Sequence, residues 1–172
     1  MSKEFPKDLA SNLLALLASN TQTSLQTILE LNSYTQKFGV ILSEEESLLL
    51  LEARKNTLKT QERIEFREGI LPKLIFTFCD SPYIYQDNYA DTLERLQEIF
   101  YLYKNECLDE LSDDELMEQM KIYFDGICEG SLDYLEDTCL ESFAREIREG
   151  TRKFIGLYAV DEDEDEVDED EY

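Results

Sequence analysis

Hydrophobic residues in this chain recur at the three- and four-residue spacing of an α-helix over almost the whole length up to residue 150. The clearest run contains Leu93, Leu96, Phe100 and Tyr103, and its spacing predicts the longest helix of the chain. The complete pattern predicts helices around Leu9–Leu17, Thr23–Lys37, after Ser43, within Leu74–Cys79, around Leu93–Cys107, between Ser112 and Gly130, and between Ser131 and Gly150.

Local signals mark several helix boundaries. Ser43–Glu46 and Ser112–Glu115 have the Ser-x-x-Glu form of a capping box, which predicts a helix start at each. Gly69 and Pro72 predict a break or a sharp kink, because proline cannot donate a backbone hydrogen bond. The apolar run Leu74–Cys79 suits a buried strand or a buried helix, and the lack of a partner strand favours the helix.

These elements predict an all-α fold, a single compact bundle of six or seven helices. The length of 172 residues suits one domain, which we assign to residues 1–160. From Asp161 to Tyr172, ten of the twelve residues are acidic. Such a block repels itself, so we expect a disordered acidic tail at residues 161–172.

The chain is strongly acidic, with 40 Asp and Glu against 16 Lys and Arg, no His, and a formal net charge of −24. This balance argues against binding a phosphate backbone and removes the usual general base. No run approaches the roughly 18 apolar residues of a membrane span, and the apolar run near the N-terminus is too interrupted for a secretion signal. We therefore expect a soluble cytoplasmic protein without a membrane partner.

Metal and thiol chemistry find little support in the sequence. The four cysteines form no C-x-x-C pair and have no His beside them, which favours semi-buried thiols that pack as small hydrophobic side chains. They are Cys79, Cys107, Cys128 and Cys139. Asp125–Glu136 partly resembles a calcium loop, but Ile127 stands where an oxygen ligand is needed, so a helix, a stop at Gly130 and a new helix are favoured. The sequence predicts no cofactor, metal ligand or catalytic residue.

Two surfaces are candidates for binding. Lys55, Lys59, Arg63 and Arg67 recur every four residues and would form one basic stripe if their helix extends that far. Such a stripe would hold the acidic tail, an acidic partner or a phosphate. Salt bridges to neighbouring acidic helices are the favoured alternative.

The second candidate is the aromatic segment that follows the Leu74–Cys79 run. Its side chains would line a small pocket, or would form a protein interface if they are exposed. The candidate residues are Phe78, Asp80, Ser81, Pro82, Tyr83, Tyr85 and Tyr89.

Two groups of motifs resemble a known family. The first is Gly69–Ile75 (GILPKLI) with Phe78–Ile84 (FCDSPYI), and the second is Tyr103–Glu106 (YKNE) with Leu111–Leu116 (LSDDEL). Together they resemble an uncharacterised family of small bacterial cytoplasmic proteins, known only as a domain of unknown function. The resemblance covers most of residues 9–150, and it implies no catalytic residue, cofactor or partner.

The leading functional hypothesis is a non-enzymatic module for protein–protein interaction. One alternative is an acidic mimic of nucleic acid, acting through the tail and surface carboxylates. Lys and Arg residues are interleaved with Glu in 54–73, which argues against nucleic-acid mimicry by the folded body but not by the tail. A second alternative is a small-ligand binder or enzyme that uses a pocket near Asp80–Tyr89.

Overall fold

The computed structural model describes residues 24–150, and within that range it contains helices joined by turns and no β-strand. The helices are 24–30 (α1), Asn32–Thr35 (α2), Glu44–Thr60 (α3), Leu71–Phe78 (α4), Tyr89–Glu106 (α5), Asp113–Asp125 (α6), Leu132–Tyr134 (α7) and Leu140–Arg148 (α8). Short 3₁₀ turns occupy Gln36–Phe38 and Gln86–Asn88, and Leu135–Cys139 is π-helical.

This architecture confirms the predicted all-α bundle. The helix predicted around Leu9–Leu17 and the tail predicted at residues 161–172 lie outside the described residues. None of the helices between residues 24 and 150 combines the length and the apolar character needed to cross a bilayer.

Helix α5 lies at the centre of the bundle, where it contacts α3, α4, α6 and α8. Its side chains are buried on several faces, and even the polar Gln97 and Lys104 are almost inaccessible. Burying a large apolar side chain contributes about 1.5–3 kcal/mol, so α5 supplies much of the hydrophobic stabilisation. The apolar residues that it buries completely include Leu93, Leu96 and Phe100, as their spacing predicted.

Both predicted capping boxes form. The Ser43 hydroxyl accepts a hydrogen bond of 3.0 Å from the Glu46 N–H, and the Glu46 carboxylate accepts one of 3.0 Å from the Ser43 N–H. Ser112 and Glu115 exchange the same pair of bonds, at 3.1 and 2.9 Å. Each box satisfies two backbone donors that a helix start would leave unpaired.

The helix ends differ more from the sequence predictions. Helix α3 stops at Thr60, and Glu62 takes a left-handed conformation (φ 56°) while the Arg63 N–H donates to the Leu58 carbonyl at 2.9 Å. This is a Schellman turn with Glu in the position that glycine usually occupies. The sequence predicted that α6 extends to Gly130, but the helix ends at Asp125. Ile127, which follows the end of the helix, is 65% exposed.

The predicted break before α4 is confirmed. Helix α4 begins at Leu71 with Pro72 in its first turn, where the missing N–H removes no helical hydrogen bond. The run Leu74–Cys79 is helical up to Phe78, as favoured over a strand.

Gly130 allows the turn after α6 to pack closely on the turn after α4. It has a left-handed φ of +81°, and a Cβ added there would lie 2.5 Å from the Tyr83 Cβ. The Tyr83 ring meets Phe124 of α6 edge to face, with centroids 6.3 Å apart. The two turns therefore depend on the missing side chain at Gly130.

We expect Gly130→Ala to lower the free energy of unfolding by about 1–2 kcal/mol through left-handed strain, and by roughly a further 1–3 kcal/mol through displacement of Tyr83. Gly39→Ala is the matched control, because Gly39 is also left-handed (φ +85°) but has no atom within 4 Å of the added Cβ. Urea unfolding followed by circular dichroism measures both. Equal losses in the two variants would contradict the contact with Tyr83.

Candidate functional site

The aromatic segment 78–89 does not gather around one cavity. Phe78 and Tyr89 are completely buried in the core, whereas Tyr85 is 62% exposed. Pro82 is also exposed, and Tyr83 is half-buried against Phe124. The seven candidate residues therefore do not line one pocket, because Phe78 and Tyr89 lie in the core while Pro82 and Tyr85 face solvent.

The polar residues of that segment attach the turn to α6. The Ser81 hydroxyl donates to the Asp125 carboxylate at 2.6 Å, and the Lys121 ammonium contacts Asp80 at 2.5 Å and Asp125 at 3.2 Å. Lys121 also donates to the carbonyl of Thr77 at 2.9 Å. These contacts position the turn between α4 and α5.

A groove of about 500 Å³ lies beside that turn, between α4 and α6. Its wall includes Phe76, which is 55% exposed and stacks on Tyr34 with a centroid distance of 4.9 Å. Its cations are paired with acids, as in the 2.5 Å contact between Lys73 and Asp114. This groove contains the aromatic side chains of Tyr34 and Phe76, and both of its lysines are paired with acids.

A second groove, of about 570 Å³, brings the predicted basic residues together. We call it the basic groove; its lining is Ser24, Leu51, Arg54, Lys55, Leu58, Lys59, Arg63, Ile64, Glu65, Phe66 and Arg67. The single helical stripe does not form, because α3 ends at Thr60 and leaves Arg63 and Arg67 on the following loop. The loop folds back, so that all four predicted cations line the same cavity.

The buried side chain of Arg54 connects α3 to this loop. It is only 6% exposed, and its guanidinium donates to the Arg67 carbonyl and contacts the Glu65 carboxylate at 3.4 Å. The Tyr101 hydroxyl of α5 donates to the same carboxylate. Gly69 packs against the pair so closely that an added Cβ would lie 2.7 Å from the Arg54 guanidinium.

Arg63 joins the loop to the end of α5. Its guanidinium donates to the Asn105 side chain and to both oxygens of Asp109, at 2.8 and 3.2 Å. The hydrogen bond from Arg63 lowers the pKa of Asp109 below its ordinary value. Asp109 also raises the pKa of Arg63, so this pair remains charged through the physiological range.

The other three cations of the groove are not paired with acids of the described residues. Lys55, Lys59 and Arg67 are exposed, and none of them forms an ion pair with another residue between 24 and 150. Beside them, Ile64 is 86% exposed and Phe66 is 85% exposed. The groove thus combines uncompensated positive charge with apolar side chains that the fold leaves in solvent.

The sequence did not single out Ile64, Phe66 or Arg54 as site residues. Ile64 and Phe66 alternate with charged residues just beyond α3, outside any helical period, and that alternation is the signal that would have identified them. Arg54 carried no such signal, because its burial depends on the folded loop and on Tyr101 from α5.

The four cysteines are buried, in agreement with their predicted role as packing side chains. Burial raises the pKa of Cys107 to about 11 and that of Cys128 to about 12. The Cys128 and Cys139 sulfurs lie 3.6 Å apart. Within residues 24–150, no three His, Cys, Asp or Glu side chains converge as metal ligands.

We expect Arg54→Met to lower the free energy of unfolding by about 3–5 kcal/mol, because it leaves Glu65 and the Arg67 carbonyl without their buried partner. The neighbouring Lys55→Met is the control, since Lys55 is exposed and should change stability by about 0.5 kcal/mol or less. Urea unfolding of both variants provides the measurement. A small effect of Arg54→Met would show that the loop does not depend on this residue.

The raised thiol pKa values predict chemical inertness. At pH 8, Cys107 and Cys128 remain protonated in the folded protein, whereas an unfolded thiol with a pKa of about 8.5 is partly thiolate. We expect iodoacetamide to label these residues slowly in the native protein and fully in urea. Peptide mapping by mass spectrometry gives both rates, and rapid native labelling of Cys107 would contradict the prediction.

Comparison with known proteins agrees with the motifs noted in the sequence. A family model described as a family of unknown function (DUF6323) matches residues 27–153. The chain has no significant match among curated proteins or solved structures. The match contains the whole loop of the basic groove and excludes the acidic segment 161–172. With more than half of its length covered by this match, the chain belongs to the family of unknown function DUF6323.

Proposed function

We propose that this protein is a cytoplasmic protein-binding module whose basic groove receives an acidic segment of a partner protein. The observation that carries the proposal is the juxtaposition of exposed, unpaired cations with exposed apolar side chains in one cavity. The cytoplasmic location is supported by the four unpaired thiols, which are typical of a reducing compartment.

The charges of the groove favour an anionic ligand. Apart from Lys37, the cations elsewhere between residues 24 and 150 are paired with neighbouring acids, as in the contacts of Lys104 with Asp113 at 2.9 Å and of Arg95 with Glu136 at 2.5 Å. Lys55, Lys59 and Arg67 have no such acid within the described residues. A carboxylate bound there would gain an ion pair without breaking one.

The apolar side chains favour a protein ligand. Ile64 and Phe66 expose most of their surface to water, and removing that surface stabilises a complex by about 25 cal/mol per Å². An acidic segment with apolar residues would satisfy both parts of the groove. Aromatic residues and arginine are also enriched in protein–protein interfaces relative to the rest of the surface.

A nucleic-acid ligand fits the molecule less well. The net charge of −24 repels a phosphate backbone, and four cations provide few phosphate contacts. The aromatic groove near Asp80 is a weaker candidate than the basic groove, because its lysines are already paired.

We expect a labelled peptide that alternates Glu with Leu and Phe to bind the full chain, and Lys55→Glu with Lys59→Glu to weaken its affinity at least about fivefold. The matched control is Lys37→Glu with Arg145→Glu, which changes the net charge equally outside the groove and should alter affinity less than about twofold. Fluorescence anisotropy at 50 and 150 mM NaCl measures both variants.

Phe66→Ser separates peptide recognition from simple charge attraction. Because Phe66 is 85% exposed, its replacement should leave stability unchanged and weaken the apolar peptide several-fold. A peptide with Ser in place of Leu and Phe should be unaffected. Equal binding by the groove variant and the control, or tighter binding of a single-stranded oligonucleotide than of the peptide, would overturn the proposed function.

A further inference from the structure

We propose that the acidic segment 161–172 of this same chain binds the basic groove and competes there with the acidic segment of a partner. The inference rests on the proposed function in so far as both ligands use this groove. It adds an internal regulator to the module: the partner gains access only by displacing the chain's own acidic segment.

Charge complementarity supports this occupant. Ten of the twelve residues from Asp161 to Tyr172 are acidic, and the other two, Val167 and Tyr172, are an apolar and an aromatic residue. The segment therefore has the composition that the groove favours. Lys55, Lys59 and Arg67 have no acid partner within residues 24–150, so carboxylates of this segment would form ion pairs there without displacing an acid of the described residues.

The path of the chain also supports it. Arg148, at the end of α8, contacts the Glu106 carboxylate at 3.1 Å. Its neighbour Asn105 accepts a hydrogen bond from Arg63 of the groove. The last described helix therefore ends against the same turn of α5 that anchors the groove, and the acidic segment follows from that position.

The connection is long enough. Residues 151–160 span at most about 33–36 Å when extended, whereas a folded unit of 127 residues has a radius of gyration of about 14 Å. The acidic segment can therefore reach the groove from the end of α8. Tethering by a short linker gives an effective concentration of about 1 mM, so even a tail affinity of about 0.1 mM would weaken a competing peptide about tenfold.

Zero-length crosslinking of the full chain tests the contact directly. A carbodiimide activates a carboxylate, and a lysine amine within ion-pair distance displaces the activating group to form an amide. We expect crosslinks from Lys55 and Lys59 to the peptide that contains 161–172, and their loss in 0.5 M NaCl. Lys73–Asp114 and Lys121–Asp80, each with an N–O distance of 2.5 Å, are internal positive controls.

Lys37 is the negative control, because it is exposed and has no ion pair within the described residues. Tail crosslinks that are as frequent at Lys37 as at Lys55 would overturn the proposal, since they would indicate nonspecific attraction. Crosslinks from the groove lysines to Glu4 or Asp8 would show that the N-terminal segment, and not the acidic segment 161–172, binds the groove. Crosslinks between ¹⁴N- and ¹⁵N-labelled copies, without crosslinks inside one copy, would show that the acidic segment in the groove belongs to a second chain. Either result overturns the proposal.

A second full-length variant separates this inference from the proposed function. It replaces the ten acidic residues of 161–172 by Asn and Gln and keeps the groove intact. We expect it to bind the labelled acidic peptide about tenfold more tightly than the wild-type chain does. Unchanged peptide binding without tail crosslinks overturns the inference and leaves the proposed function standing. No peptide binding by either chain overturns the proposed function itself.

Discussion

Polar side chains in the second half of α5 hold the irregular segments on which the surface of this protein depends. Each reaches from the central helix to a neighbouring segment: Tyr101 to the Glu65 carboxylate, Tyr103 to the carbonyl of Glu136 in the π-helical segment, Lys104 to the Leu111 carbonyl and Asn105 to the Gln61 carbonyl. A buried polar group without its partner costs about 1–3 kcal/mol. The positions of these segments therefore depend on hydrogen bonds to the polar side chains of α5 more than on local sequence signals.

The basic groove is a consequence of that constraint. Its loop contains Glu62 and Arg67, and the facing loop contains Leu108 and Asp109, all four with left-handed φ values of 56°. Residues other than glycine lose roughly 1–2 kcal/mol in this conformation. The contacts of Tyr101 and Asn105, with the Arg63–Asp109 bridge, offset that strain. In the loop conformation that they hold, Ile64 and Phe66 are 86% and 85% exposed.

The parts of the fold that could be predicted from the sequence are those with local causes. The capping boxes at Ser43 and Ser112 begin α3 and α6, and the apolar spacing of α5 identifies its buried faces. The end of α3 could not be predicted, because its stop is a Schellman turn with Glu62 in place of glycine and depends on Asn105, 44 residues away from Gln61. The four basic residues were identified, but their common cavity required that turn. The aromatic segment is not gathered around one cavity for the opposite reason: Phe78 and Tyr89 have enough apolar area to enter the core.

An acidic protein with a basic groove attracts its ligand only at short range. With a Debye length of about 8 Å at physiological salt, an approaching acidic segment meets the field of the whole surface, which is repulsive for a net charge of −24, before it meets the groove. Diffusional encounter with a free acidic partner is therefore slowed rather than steered. A segment tethered to the end of α8, as proposed above, does not depend on that encounter, because the linker limits its distance from the groove. Under the proposed binding, the same charge balance would favour the chain's own acidic segment kinetically over a free partner of equal contact energy. Salt, which screens the long-range repulsion, would reduce that difference.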